Sequence, residues 1–219
     1  MKKVLLMNHK IKVVVVDDHE ALRKGLCLLL SQYPSIDVVA EASNGEHAYE
    51  VIGLSAPDVI VMDLNMPGMG GLEALGHIMA RWPFLKVVVF SMHEEAAFVI
   101  KSIAAGAYGY VTKSDDTAEL FQAIRSAAFG QRYISHSVAP KVAIHALAEE
   151  QNTLASLSPR EFEIFRMLAE GNSVEKIASL LKLSPKTIAN HQTILKQKLG
   201  VKSSLELVRM AIKFEIING

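Results

Sequence analysis

Residues 13 to 20 read VVVVDDHE. Four β-branched apolar residues in succession describe a strand buried on both faces, because a half-exposed strand alternates apolar with polar side chains. The strand then ends on two adjacent carboxylates, whose negative charges repel unless a cation sits between them. Similar runs recur at 11 to 16 (IKVVVV), 37 to 42 (DVVAEA), 58 to 63 (DVIVMD), 86 to 91 (KVVVFS) and 108 to 112 (YGYVT), separated by helical stretches. Five strands alternating with amphipathic helices predict an α/β doubly wound five-stranded parallel sheet, with its site at the carboxyl ends of the strands. In ALRKGLCLLLSQY, Leu22, Leu26, Leu29 and Leu30 fall on one helical face, and Asp116 with Glu119 reads as a capping box for DTAELFQAIRSAAF.

The chain has 219 residues, 50% hydrophobic and 21% charged, an ordinary composition for a globular protein and a length that suits two domains. Its formal net charge of zero hides an asymmetry: residues 1 to 130 carry 11 Lys/Arg against 15 Asp/Glu, and residues 131 to 219 carry 12 against 8. Only the basic second half suits a polyanion. The single cysteine, Cys27, lies in the apolar run LCLLL and reads as a core residue, which excludes a disulfide framework within one chain. The start, MKKVLLMNHK, has too short an apolar run for a secretory segment of roughly 7 to 15 residues, and no run approaches the ~18 of a membrane span. The expected location is cytoplasmic, with no membrane partner. The eight histidines show neither HxxxH nor HExxH spacing, so a zinc site is not expected.

Three segments follow from the pattern: an α/β unit over 11–130, a connector over 131–155, and an all-α unit of four helices over 156–219. The last opens on SPRE at 158 to 161, with serine as N-cap, proline at the first helical position and glutamate three residues after the cap. SVEKIASLLKL, SPKTIANHQTILKQKLG and SLELVRMAIKFEII supply the remaining helices.

In a doubly wound sheet, Asp17 and Asp18 at the end of the first strand and Asp63 at the end of the third converge on one edge. Three acids in one place call for a cation, and hard oxygen donors with room for water suit Mg²⁺. A plainer reading makes Asp17 or Asp18 a helix cap. Strand four ends on Ser91 and strand five on Thr112 and Lys113, adding a hydroxyl and an ammonium to the same edge. Ser91 with Glu94 also reads as a capping box, and Lys113 as a solvated lysine, but the ordered set on four strands reads better as one site.

VVVVDDHE, VMDLNMPGMGG, VVVFSMHEE and AGAYGYVTKSD make residues 11 to about 130 resemble a two-component receiver domain, and the whole chain resembles a NarL/FixJ-type response regulator. That resemblance implies a CheY-like fold in which Asp63 accepts a phosphoryl group from a histidine kinase. It implies direct Mg²⁺ binding by Asp18 with Asp17 assisting, and the Asn65 backbone carbonyl as a further ligand. Ser91 would bond a phosphoryl oxygen, Lys113 would offset charge, and Tyr110 would turn inward as Ser91 shifts. Pro67, Gly68, Gly70 and Gly71 would shape the neighbouring loop so that backbone can approach the phosphate. A haloacid-dehalogenase-type phosphotransferase is the alternative; it needs a second acid in D-x-D, and here Asp63-Leu64-Asn65 lacks it.

SVEKIASLL and PKTIANHQTILKQKL have the length and order of a helix-turn-helix, and residues 157 to 212 resemble a LuxR-type output domain. The apolar set Ile177, Leu180, Leu181, Ile188, Leu195 and Leu199 serves this reading or a plain bundle. Ala189, Ile194, Lys182 and Ser204 depart from the family pattern, which leaves operator preference open. On the family alignment Asn190, then Thr193, would read bases of promoter DNA, and Lys186, Thr187, Gln192 and Lys196 would touch phosphates. His191 reads as structural. Leu205, Val208, Ala211 and Ile212 would form a homodimer contact once the protein is phosphorylated.

Overall fold

The apolar runs pair into a single parallel sheet. The computed structural model describes residues 10–147, 154 and 156–217, so part of the expected connector lies outside the described residues. Strands β1 (Ile11–Val16), β2 (Ile36–Ala42), β3 (Val59–Met62), β4 (Lys86–Ser91), β5 (Gly109–Thr112) and β6 (Tyr133–Ile134) lie in the order β2-β1-β3-β4-β5-β6. The chain reverses direction of travel between β1 and β3, the switch point at which such sheets place a site.

Five helices cover the two faces: α1 (Glu20–Ser31), α2 (Gly45–Ser55), α3 (Gly71–Arg81), α4 (Ala96–Ala104) and α5 (Thr117–Ala128). The valine run is apolar throughout because its residues alternate between two buried layers. Val13 and Val15 join Leu26, Leu30, Leu120 and Ile124, whereas Val14 and Val16 join Ile52, Leu75, Ile78 and Phe98. Each buried branched side chain contributes roughly 1.5–3 kcal/mol. Of the four leucines expected on one face of α1, only Leu26 and Leu30 are buried; Leu22 and Leu29 remain exposed. Cys27 is half-buried against the same layer.

Two expectations are corrected here, the strand count and the cap of α5. The sheet has six strands, since Tyr133 and Ile134 pair with Gly109 and Tyr110. The connector, whose order the sequence leaves open, carries β6 and then α6 (Ala139–Leu147), which packs on α4. Asp116 caps α5 by accepting from the Ala118 amide at 3.0 Å, but Glu119 does not complete a box: its carboxylate takes the Tyr133 hydroxyl at 2.6 Å and His136 Nδ1 at 2.6 Å.

The second unit comprises α7 (Pro159–Ala169), α8 (Val174–Leu180), α9 (Pro185–Leu199) and α10 (Ser204–Lys213). The Ser158–Glu161 capping box is present in both directions, at 3.2 and 2.8 Å. Phe162, Phe165, Ile177, Ile188, Leu195 and Leu199 fill its interior, and this interior is continuous with the layer under α3 and α4. Leu180, expected inside, is exposed at the end of α8.

Gly71 opens α3 directly behind Asp63. Its N–H donates to Leu64 O at 2.9 Å, and a Cβ there would stand 2.2 Å from Asp63 O and 2.4 Å from Leu64 Cα. These are backbone atoms that cannot swing away. Gly71→Ala should therefore cost about 3 kcal/mol in urea unfolding, whereas Gly76→Ala, in open space in the same helix, should be neutral or stabilise by up to about 1 kcal/mol.

Candidate functional site

Strand pairing brings the acids together. Val16 lies opposite Met62, so the next residues, Asp17 and Asp63, leave the sheet side by side, with the Asp63 amide donating to Val16 O at 2.9 Å. Ser91 lies opposite Thr112, and the Lys113 amide donates to Ser91 O at 2.7 Å. The Lys113 ammonium thereby enters the cluster, 2.7 Å from Asp17 Oδ2 and 2.7 Å from Asp63 Oδ2. Burial alone would lower this ammonium's pKa, but its hydrogen bonds to Asp17 and Asp63 outweigh that and hold it above the usual lysine value. Lys113 is thus a buried cation shared by two carboxylates rather than a solvated one.

The remaining carboxylate oxygens have distinct surroundings. Asp17 Oδ1 accepts from the His19 amide at 2.8 Å and Asp63 Oδ1 from the Asn65 amide at 3.2 Å. Asp18 Oδ1 is buried without a hydrogen bond; His19 Nδ1 lies 2.9 Å away but off the line of one. The helix-cap reading of the pair fails, since His19 is the N-cap of α1 and Asp17 bonds the amide of His19 itself rather than one in the first turn of the helix.

Three carboxylates against one ammonium leave about two negative charges, and one oxygen lacks any donor. One atom each from Asp17, Asp18, His19 and Asp63 lies within 4.8 Å of the others. Oxygens around an octahedral Mg²⁺ with bonds of ~2.0–2.1 Å span roughly 3–4 Å, so the carboxylate set fits this ion after small adjustments. His19, a nitrogen donor on an exposed side chain, is not needed for it.

Ser91 and Tyr110 stand behind the cluster, both fully buried. Ser91 Oγ accepts weakly from the His93 amide at 3.3 Å, and Glu94 bonds Ser114 and Lys141, so the expected Ser91–Glu94 box does not form. Tyr110 already points inward, its hydroxyl donating to His93 O at 2.9 Å; burial pushes the phenol pKa well up, so it acts as a neutral donor. His93 went unrecognised in the sequence. Its Nε2 lies 2.9 Å from Asn65 Oδ1 and its ring stacks on Phe98 with centroids 3.7 Å apart. It lies within the Ser91–Glu94 stretch that reads as a helix start, and no sequence signal reveals a partner 28 positions away.

Within the helical unit, α8 and α9 form a helix-turn-helix with Ser184 capping α9 through the Thr187 amide at 3.1 Å. Lys186, Asn190 and Thr193 are exposed on α9, and Thr187, Gln192 and Lys196 are half-buried beside them. Thr187 Oγ1 is 2.8 Å from Ser184 Oγ, and Thr193 Oγ1 donates to Ala189 O at 3.1 Å. Lys198 points elsewhere, paired with Glu161 at 2.7 Å. His191 is half-buried. On α10, Leu205 and Ile212 are exposed and Val208 half-buried, but Ala211 is buried and closes the bundle, so it cannot belong to an exposed dimer face.

Comparison with known proteins agrees with this two-part layout. The family model of the response regulator receiver domain matches residues 13–125, and that of bacterial regulatory proteins of the luxR family matches residues 155–211. The chain is 38% identical over 210 residues to "Response regulator GacA" of Pseudomonas aeruginosa, covering 95% of this chain and 98% of that protein. It belongs to the NarL/FixJ-type response regulators.

A two-component response regulator of the LuxR family from Aurantimonas sp. matches this regulator with a TM-score of 0.62 at 40% identity, covering 64% of this chain and 99% of that one. RcsB from Salmonella enterica serovar Typhimurium, solved bound to promoter rprA with the phosphomimetic BeF3-, matches with a TM-score of 0.67 at 26% identity, covering 92% and 98%. The regulator joins a receiver to a LuxR-type DNA-binding domain. No helix among its described residues is long and apolar enough to cross a membrane.

The regulator's charge balance makes Lys113 testable. Lys113→Met removes the cation between two buried acids, a loss that costs roughly 3–5 kcal/mol when a buried pair is broken. Urea unfolding at pH 7 should show that loss, and Lys113→Met combined with Asp17→Asn should recover part of it.

Proposed function

We propose that Asp63 is the phosphoacceptor of this regulator, that a sensor histidine kinase is its donor, and that the modification controls dimerisation and promoter binding by the helix-turn-helix. The observation that carries the reading is the shared Lys113 ammonium, 2.7 Å from both Asp63 and Asp17. An Asp63 oxygen attacks phosphorus as the P–N bond of phosphohistidine breaks. The leaving imidazole keeps the bonding pair, and the product is an acyl phosphate on the chain. Such transfer depends on positioning and on offsetting charge. Lys113 supplies one positive charge, and Ser91 has a buried hydroxyl beside Tyr110 to redirect toward a phosphoryl oxygen. Asp18, Asp17, Asp63 and the Asn65 carbonyl would hold Mg²⁺, which when bound supplies further positive charge to the phosphoryl oxygens. The acyl phosphate is a state of the protein rather than a released product, so we read the chain as a regulator and not an enzyme.

Promoter recognition is assigned to α9. Asn190, and Thr193 once its hydroxyl leaves Ala189 O, would face base edges, Lys186 and Lys196 with Thr187 and Gln192 would face phosphates, and Leu205, Val208 and Ile212 would meet a second copy. The RcsB complex with promoter DNA and BeF3- supports this reading. We place the exchange in the cytoplasm, where kinase and chromosome are both within reach. The domain division at about 130 and 156 accompanies it, with β6 and α6 lying between the two parts.

A salt-controlled titration against genomic fragments tests the function, using untreated protein, protein with Mg²⁺ and beryllofluoride, and Asp63→Ala treated identically. Treatment should raise wild-type affinity about tenfold, within the usual span of coupling energies, and leave Asp63→Ala unchanged. Equal affinity in all three would remove phosphorylation control, and binding no better than non-specific would remove the helix-turn-helix assignment. On the selected fragment, Lys186→Ala should lower the slope of log affinity against log salt by about 1 without changing sequence preference. Asn190→Ala should lose about 1–3 kcal/mol of discrimination at one base pair.

A further inference from the structure

The outward side of α9 is built from two rows of exposed residues, each spaced by one helical turn: Lys186, Asn190 and Ile194 in one, Ala189, Thr193 and Gln197 in the other. Ile188, Leu195 and Leu199 lie on the opposite side and are buried. The middle of the outward side, formed by Ala189, Asn190, Thr193 and Ile194, carries no charge. Lys196 is half-buried at its flank, and Lys198 is turned away to Glu161 at 2.7 Å. No arginine occurs between Arg166 and Arg209. The common bidentate reader of guanine, an arginine or a lysine, is therefore missing from the centre of this helix.

Thr193 decides how that middle meets a base. Its hydroxyl donates to Ala189 O at 3.1 Å, the bond to the fourth residue back that a threonine makes within a helix. The hydroxyl can serve a base only by giving up this bond, whereas the γ-methyl is offered with the bond intact. It stands in the same row as the Ala189 methyl, one turn away. Ile194, 40% exposed, adds a branched apolar side chain to the row of Asn190. The Asn190 amide is left as the polar reader, flanked by apolar carbon. On the base edges of the major groove, carbon of this kind has one matching group, the 5-methyl of thymine.

We infer that α9 selects its operator through thymine methyls: Ala189, Thr193 and Ile194 pack on the 5-methyl groups of A·T pairs that flank the adenine taken by Asn190. From Ala189 to Ile194 the helix rises about 7.5 Å, close to two base-pair steps of ~3.4 Å. The core of each half-site is then an A·T run of about two or three base pairs. Thr193 reads by its carbon, and Lys186 and Lys196 hold phosphates without taking part in the choice. This rests on the DNA-binding reading of the helix-turn-helix and adds the base chemistry that it recognises.

Deoxyuridine lacks the 5-methyl of thymidine but keeps its pairing and its O4 acceptor, so it removes the inferred contact alone. The full chain, with Mg²⁺ and beryllofluoride, is titrated at fixed salt against the fragment selected above and against copies in which one thymine at a time is replaced by uracil. Wild type should lose about fourfold in affinity for each methyl it buries, at two or more neighbouring positions. Thr193→Ser keeps the hydroxyl and its bond but not the methyl, so uracil at one of these positions should cost it nothing further. Thr193→Val keeps the methyl and should retain the wild-type ratio of thymine to uracil affinity there. Ile194→Ala should lose the ratio at a neighbouring position. Unfolding midpoints are recorded for each variant, and the uracil scan of wild type decides if one fails to fold. Equal affinity of wild type for thymine and uracil duplexes, or a wild-type ratio at every position in Thr193→Ser, would overturn the inference and leave the helix-turn-helix reading intact. No fragment bound above the non-specific level would overturn both.

Discussion

A buried ammonium held between two buried carboxylates is the constraint on which the receiver edge depends. Lys113 can reach both Asp17 and Asp63 only if β1, β3 and β5 end at the same level, and the parallel register provides that. The pairing does not neutralise the site. Removing ions from water is costly unless their charge is matched, and here the acids exceed the lysine. The edge is held in a condition that favours the arrival of more positive charge.

Much of this was legible in the sequence because it is local or periodic. A fully apolar run specifies a doubly covered strand, and its last residue specifies what stands at the edge. Ser158 and Glu161 are three residues apart and cap as their spacing demands. What escaped notice was either too short to have a period or too far along the chain to be linked by spacing. β6 has two residues, and no alternation can be read from two. Glu119 has the correct offset for a capping box, yet the Tyr133 hydroxyl and His136 compete for it and win. His93, Asn65 and Phe98 meet only because β4 and the loop after β3 share an edge, and Arg160 reaches Gly68 across 92 positions.

The two domains are not independent bodies in this structure, since the apolar layer beneath α3 and α4 runs into the interior of the helical unit. Even so, α9 makes its principal contacts with α7 and α8, and Asn190 and Thr193 stay exposed. Docking therefore engages the scaffold side of the DNA-binding domain and leaves its reading side open.

Because α6 packs against α4 and Leu154 is already buried in the apolar layer it shares with α7, the covalent span between the packed parts runs only from position 147 to position 154, not from the end of α5. Seven peptide steps reach at most about 25 Å. A domain confined to a sphere of that radius experiences its docking surface at an effective concentration on the order of 10 mM. An interface with millimolar intrinsic affinity would remain closed under these conditions, and a tenfold weakening would bring it to near balance. The short leash adds to what the shared apolar layer and the polar contacts around Arg160 already supply in holding the second domain against the first.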